Sequence, residues 1–176
     1  MYGDEGRERL FAALKRARER GARFAFDTNF RARGWPDPEI ARSVFRQAFE
    51  IADIVLASTE DLLPLSPGES HEALLARIPG GEVVLKLSEP ASILRIADVS
   101  HRIRAEPVTA PVVDTTAAGD SFAAAYVAAR LAGAGPLDAA RAGHRLAGVV
   151  VCHPGAIIPG AAMPAELISG LTGASP

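Results

Sequence analysis

The sequence predicts an α/β protein: a mostly parallel sheet between layers of flanking helices. Three observations carry that prediction. Through the first half of the chain, stretches with helical apolar spacing alternate with short apolar runs of strand length. Two strand-like runs around a turn then interrupt the alternation, and two long helical patterns follow. Between them lies a small-residue turn, Asp114-Thr115-Thr116-Ala117-Ala118-Gly119-Asp120, entered by the run Pro111-Val112-Val113 and left by an apolar helical pattern.

Each element has a local reason. Asp4 to Arg20 carries Leu10, Phe11, Leu14 and Ala17 on one face and mostly charged residues elsewhere, so it reads as an amphipathic helix ending at Gly21. Arg23 to Asp27 reads as a strand. Asp37-Pro38 combines an N-capping residue with a proline at the first helical position. The helix it starts turns Ile40, Val44, Phe45 and Ala48 inward. Asp53 to Ala57 is a second strand, and Ser58 to Leu63 a short helix with Ser58 and Asp61 at capping-box spacing. A helix over His71 to Ile78 leads to a strand from Glu82 to Leu87. Ser92 to Ile96 and His101 to Ala105 form a hairpin turning at Asp98. Helices over Gly119 to Ala132 and Pro136 to Cys152 follow, with a short final helix over Pro164 to Leu171. With no internal repeat, low-complexity tract or linker, residues 1–176 are expected to form a single α/β domain.

Composition narrows the class. The chain has 176 residues, enough for one domain with a real core, and 48% are hydrophobic, as in an ordinary globular protein. A net charge of −2 argues against a nucleic-acid footprint, which needs a basic patch. The single cysteine, Cys152, excludes an internal disulfide, and that fits a reducing, cytoplasmic setting. It follows Val149-Val150-Val151 and reads as a buried small hydrophobe. No charge-free apolar stretch approaches the ~20 residues of a membrane span. The acidic, polar start, Met1 to Glu5, does not resemble a signal peptide.

The turn at residues 114–120 bears the chemistry. Small residues at a helix start leave backbone N–H groups bare, and the helix dipole adds positive potential, so an anion such as phosphate is suited to the place. Asp120 sits at the same helix start. On local pattern it is either a general base beside a transferring phosphoryl group or simply a capping acid.

The segment Asp114-Thr115-Thr116-Ala117-Ala118-Gly119-Asp120-Ser121-Phe122 resembles the C-terminal signature of the ribokinase-like (PfkB-type) sugar kinases, usually Asp-Thr-x-Gly-Ala-Gly-Asp. The resemblance implies that Asp120 deprotonates the sugar hydroxyl, while Ala117, Ala118 and Gly119 form an anion hole over the γ-phosphate. Ala117 stands where the family usually has glycine, and a turn that needs φ > 0 there would be strained.

Other segments extend the likeness. Asp27-Thr28-Asn29-Phe30-Arg31 resembles the Asp-x-Asn-x-Arg segment of the 2-keto-3-deoxygluconate kinase branch. That implies that Arg31 grips the sugar acid's carboxylate, which its fork of donors matches, and that Asn29 orders the same pocket. In Ala57-Ser58-Thr59-Glu60, alanine replaces the asparagine of a family Asn-x-x-Glu, while Glu60 keeps the acid that approaches Mg²⁺ through water. For Asp61 a helix-start role is the better reading. Lys86-Leu87-Ser88-Glu89-Pro90-Ala91 stands where the family has Lys-Leu-Gly-x-x-Gly, so Lys86, Ser88 and Ala91 would line the ATP site with both glycines replaced. His144 and His153 fall on the nucleotide side as well, though a core or solvated histidine is the plainer reading of each. Their spacing does not suggest zinc.

The likeness implies an ATP- and Mg²⁺-dependent kinase making the 6-phosphate of 2-keto-3-deoxygluconate. It covers only the C-terminal half of the family pattern, without the N-terminal half and its β lid. Partners implied are ATP and a small sugar acid, with no nucleic acid or membrane. A homo-oligomer is one way to cover the sheet edge left exposed. A kinase for another sugar and a truncated, non-catalytic nucleotide-binding remnant are the alternatives.

Overall fold

The computed structural model describes residues 3–165. The elements run α1 (Asp4–Glu19), β1 (Ala25–Asp27), α2 (Pro38–Ile51), β2 (Ile54–Ser58), α3 (Thr59–Leu62), α4 (His71–Ala76), β3 (Glu82–Lys86), β4 (Ala91–Ile96), β5 (Val99–Arg104), α5 (Ala118–Leu131) and α6 (Pro136–Val150). The helix expected over 164–171 falls mostly outside the described residues. The fold is α/β, with helices flanking a five-stranded mixed, mostly parallel sheet in the order β1-β2-β3-β4-β5. β1 and β2 are parallel, with Phe26 opposite Val55 and Asp27 opposite Leu56, so the loops leaving both strands emerge on one sheet edge.

By its contacts the chain divides into two compact units. The first comprises the described residues up to Leu85 together with Arg95–Val99. Its core is aromatic. Phe45 on α2 meets Phe26, Phe30, Trp35 and Phe49 edge-on at centroid distances of 5.6, 6.0, 5.9 and 6.0 Å, an arrangement that aligns ring edges with ring faces. α2 starts as its sequence dictates: the Asp37 carboxylate accepts from Glu39 N at 2.8 Å and Pro38 opens the first turn. Its buried face is Ala41, Val44, Phe45, Ala48 and Phe49, with Ile40 at the margin. Ser58 caps α3 by accepting from Asp61 N at 3.1 Å. The Arg95 guanidinium donates to the carbonyls of Leu75, Ile78 and Gly80 at 2.9, 2.6 and 2.9 Å, tying the end of α4 and the turn after it to β4.

α1 departs from its expected packing, for none of its residues is buried and Leu10 is 37% exposed. Its apolar stripe finds too little surface within the described residues, and polar contacts of Arg18 with the Ile51 carbonyl and, at 3.5 Å, with Asp53 tie it down.

The second unit comprises Lys86–Leu94 and the described residues from Ser100 onward. There α5 and α6 pack through small residues. A Cβ built on Gly143 would come within 2.8 Å of the Phe122 ring, so this helix contact requires glycine. Ala125, Leu146 and Val150 continue the seam, with Ile158 and Met163 against it.

Candidate active site

The turn between Val113 and α5 is set by one carboxylate. Asp114 Oδ1 accepts from Thr116 N at 2.8 Å, closing an Asx-type turn, and Oδ2 accepts from Gly155 N at 2.9 Å. Hydrogen bonds from the Thr116 backbone, the Thr116 side chain and Gly155 favour the ionised form and hold Asp114 below the usual carboxylate value. Val113 N and Asp114 N both donate to the Val151 carbonyl, at 2.8 and 3.2 Å, fastening the run to the end of α6.

Ala117 then reverses the chain at φ +61°, ψ 12°, the left-handed conformation anticipated as the cost of an alanine here. As N-cap it offers no side-chain hydrogen bond, and helical geometry leaves the N–H groups of Gly119 and Asp120 without intrahelical acceptors. Asp120 is exposed in that first turn. Lys86, at the end of β3, brings Nζ within 3.6 Å of where a Gly119 Cβ would lie. A strand-end cation thus meets the start of α5, in whose first turn Asp120 stands.

In the same unit a cavity of about 520 Å³ opens between the segment after β5 and α6, lined among others by Val108, Arg145, His144, Cys152 and His153. Cys152, expected to be buried, is half-buried on this wall, its Sγ donating to Gly148 O at 3.3 Å. His144 stands edge-on to Phe122 at 4.9 Å, with Nε2 2.9 Å from the buried Ser92 hydroxyl. Burial pushes its pKa below the usual histidine value, against a smaller opposing effect of a backbone hydrogen bond at Ile103. His153 Nδ1 lies 2.9 Å from Val149 O. Ser88 is exposed, whereas Ala91 is 4% exposed and starts β4, its carbonyl accepting from Leu87 N at 3.0 Å. Ala91 therefore shapes the turn over 87–90 rather than presenting a side chain to solvent.

In the first unit Asn29 is exposed at φ +37°, a conformation asparagine tolerates better than most residues. Arg31 is also exposed, donating to the Phe30 carbonyl at 2.8 Å and standing 3.6 Å from Asp61. Asp61 is the organiser: 7% exposed, it accepts from the Thr28 hydroxyl at 2.6 Å and from Phe30 N at 2.9 Å. The loop presenting Asn29 and Arg31 is thus pinned by a residue read from sequence only as a helix-start acid. Glu60 is exposed beside it, in the first turn of α3. Among the described residues no three His, Cys, Asp or Glu side chains gather to hold a metal.

The family model described as "pfkB family carbohydrate kinase" matches residues 3–162, nearly the whole chain. The chain belongs to the pfkB family. Among curated pfkB-family relatives, the 2-dehydro-3-deoxygluconokinase of Escherichia coli K12 is 38% identical over 165 residues, covering 90% of this chain and 53% of that protein. The Dickeya dadantii 2-dehydro-3-deoxygluconokinase is 36% identical over 171 residues, covering 94% and 55%. The chain spans about half the length of these relatives. Among solved structures, Vibrio cholerae fructokinase with fructose, ADP and calcium bound superposes with a TM-score of 0.79 at 27% identity, covering 97% of this chain and 57% of that one.

Proposed function

We propose that this chain supplies the phosphoryl-transfer site of an ATP-dependent sugar-acid kinase that converts 2-keto-3-deoxygluconate to its 6-phosphate. The observation that carries the reading is the left-handed turn at Ala117 launching α5 with Asp120 exposed in its first turn. The 2-dehydro-3-deoxygluconokinase relatives support the choice of sugar acid.

Asp120 takes the proton from the primary hydroxyl. That oxygen attacks the γ-phosphorus in line, its new P–O bond forming as the bond to the β-phosphate oxygen breaks and ADP leaves. The N–H groups of Ala117 and Gly119 meet the charge on the transferring group, whereas the Ala118 N–H, expected in the same hole, is turned to the Thr115 carbonyl at 3.2 Å. Arg31 holds the sugar acid's carboxylate, helped by Asn29, and the Asp61-pinned loop limits the entropy lost in ordering them. Lys86 and Ser88 serve the phosphate side of ATP, with Ala91 shaping the Ser88 turn, and the cavity beside His144 receives the base. Glu60, exposed in the first turn of α3, is the residue that would hold Mg²⁺, through water, and the ion would supply neutralisation of phosphate charge.

The test is ADP release from Mg·ATP with and without 2-keto-3-deoxygluconate. Substrate-dependent release is expected, with Asp120→Ala abolishing it and leaving nucleotide binding nearly intact. Arg31→Ala should weaken sugar-acid binding far more than ATP binding. Full turnover by Asp120→Ala would remove the base assignment. A second reading, a nucleotide-binding remnant without turnover, is favoured by the strained alanine at residue 117, and nucleotide binding without release would select it.

A further inference from the structure

We infer that a pocket between α2, the turn after α3 and α4 binds a small aromatic carboxylate, its ring on an apolar floor and its charge among Arg42, Arg46 and Arg77. The pocket lies within the first unit and shares no residue with the site assigned to phosphoryl transfer, so the inference stands apart from the kinase reading.

The floor comes from three elements. α2 contributes Phe45 and Phe49, one turn apart on its buried face, α3 and the turn after it Leu62 and Leu65, and α4 with its following turn Leu74 and Ile78. Each of these six is between 1% and 7% exposed, yet together they leave about 170 Å³ unfilled. An apolar cavity of about 150 Å³ with walls of this kind accepts benzene, so the space suits one ring. The Phe45 and Phe49 rings offer edges and faces that an aromatic guest complements better than an aliphatic one.

The walls are held apart. Arg42 Nε donates to the Leu65 carbonyl at 2.6 Å, fixing α2 against the turn after α3. Arg95 grips the carbonyls of Leu75, Ile78 and Gly80, fixing the end of α4. Closing the gap would break these bonds, so the space stays open for a guest.

Charge selects the guest. Among the described residues three guanidiniums line the pocket and no carboxylate does. Arg42 is paired with Glu39 and Arg77 with Glu69, whereas Arg46 has no ion-pair partner among the described residues. A carboxylate matches the fork of guanidinium donors, and Ser66 on the same wall adds a hydroxyl able to donate. Phe45 also meets Phe30 and Trp35 at 6.0 and 5.9 Å, so the chain's single tryptophan reports on the pocket.

The experiment is a titration of the whole chain with phenylacetate, 2-phenylethanol and acetate, followed by amide NMR shifts and by the Trp35 indole N–H. Phenylacetate should shift residues 62–66 and 74–78 saturably and bind roughly three- to tenfold more tightly than 2-phenylethanol. Added salt should weaken it, and acetate should leave these residues unmoved. Arg46→Gln, an exposed change that spares the floor, should bring phenylacetate down to the level of the alcohol, while Arg31→Ala should leave its binding unchanged. Equal binding of acid and alcohol, equal shifts with acetate, no saturable shift at these residues, or loss of binding in Arg31→Ala in place of Arg46→Gln would overturn the assignment. Each of these results would leave the kinase reading in place.

Discussion

Ala117 holds a left-handed conformation that costs an L-residue about 1–2 kcal/mol, against the roughly 0.5–1 kcal/mol of extra chain entropy that glycine loses on folding. Ala117→Gly is therefore expected to stabilise the protein by up to about 1 kcal/mol, a rise in Tm of about 2–4 °C, and differential scanning calorimetry reads it directly. A fall in Tm would mean that the Ala117 methyl makes contacts outweighing the strain. His144 supplies a pH dependence. Its folded pKa lies below the unfolded value of 6.5, so the unfolded chain takes up the proton first as pH falls. Its contribution is complete above pH 6.5 and is lost as pH falls through the folded value. Melting curves from pH 8 to 5 should show a steeper loss for wild type than for His144→Phe, and parallel curves would contradict the burial. Legibility at this scale follows sequence distance. The Asp37 cap and the Ser58 cap were readable because donor and acceptor lie two or three residues apart. The role of Asp61 was not, since its partners lie 33 and 31 residues away. Lys86 could be read as a strand-end cation, but its meeting with Gly119 depends on how β3 and α5 come together.

Elements were readable wherever periodicity and punctuation agree. α2, with proline and capping acid at one end and an aromatic stripe along one face, needed little tertiary information. The α5–α6 seam was different, because Ala- and Gly-rich helices give a weak amphipathic signal and their contact depends on one missing side chain. Gly143→Ala tests that seam. Alanine's helix preference returns about 1 kcal/mol, while forcing a methyl into a filled core costs about 1–3 kcal/mol. Phe122 is flanked by Tyr126 at 6.1 Å and His144 at 4.9 Å, so its ring has little room to yield. A net loss of about 1–2 kcal/mol in urea unfolding is expected, and an unchanged midpoint would mean that the ring swings away freely. α1 shows the limit of pattern reading. Its apolar face was legible as sequence, but amphipathic spacing says only that a face wants cover, not that the chain supplies it.

At the scale of the whole molecule, β1 ends the sheet of the described residues, and the chain spans about half the length of its curated relatives. No helix among the described residues is long and apolar enough to cross a membrane. The self-association anticipated from sequence remains a proposal. Sedimentation velocity over a hundredfold range of concentration should show a coefficient that rises toward a dimer, and a constant monomer value would remove it. The α/β alternation was legible because each element carries its own signal. The approach of Lys86 to Gly119 was not, because it joins a strand end to a helix start far apart in sequence.

Asp114 has a consequence of a different kind. One oxygen holds the turn that launches α5 and the other holds Gly155, just beyond His153 on the cavity wall. Two loops gripped by the two oxygens of one carboxylate cannot move independently. A shift of residues 153–155 would therefore be felt at the Ala117 turn through this one group. By linkage such a coupling would be reciprocal: whatever steadies the start of α5 would steady the wall beyond α6 to the same extent.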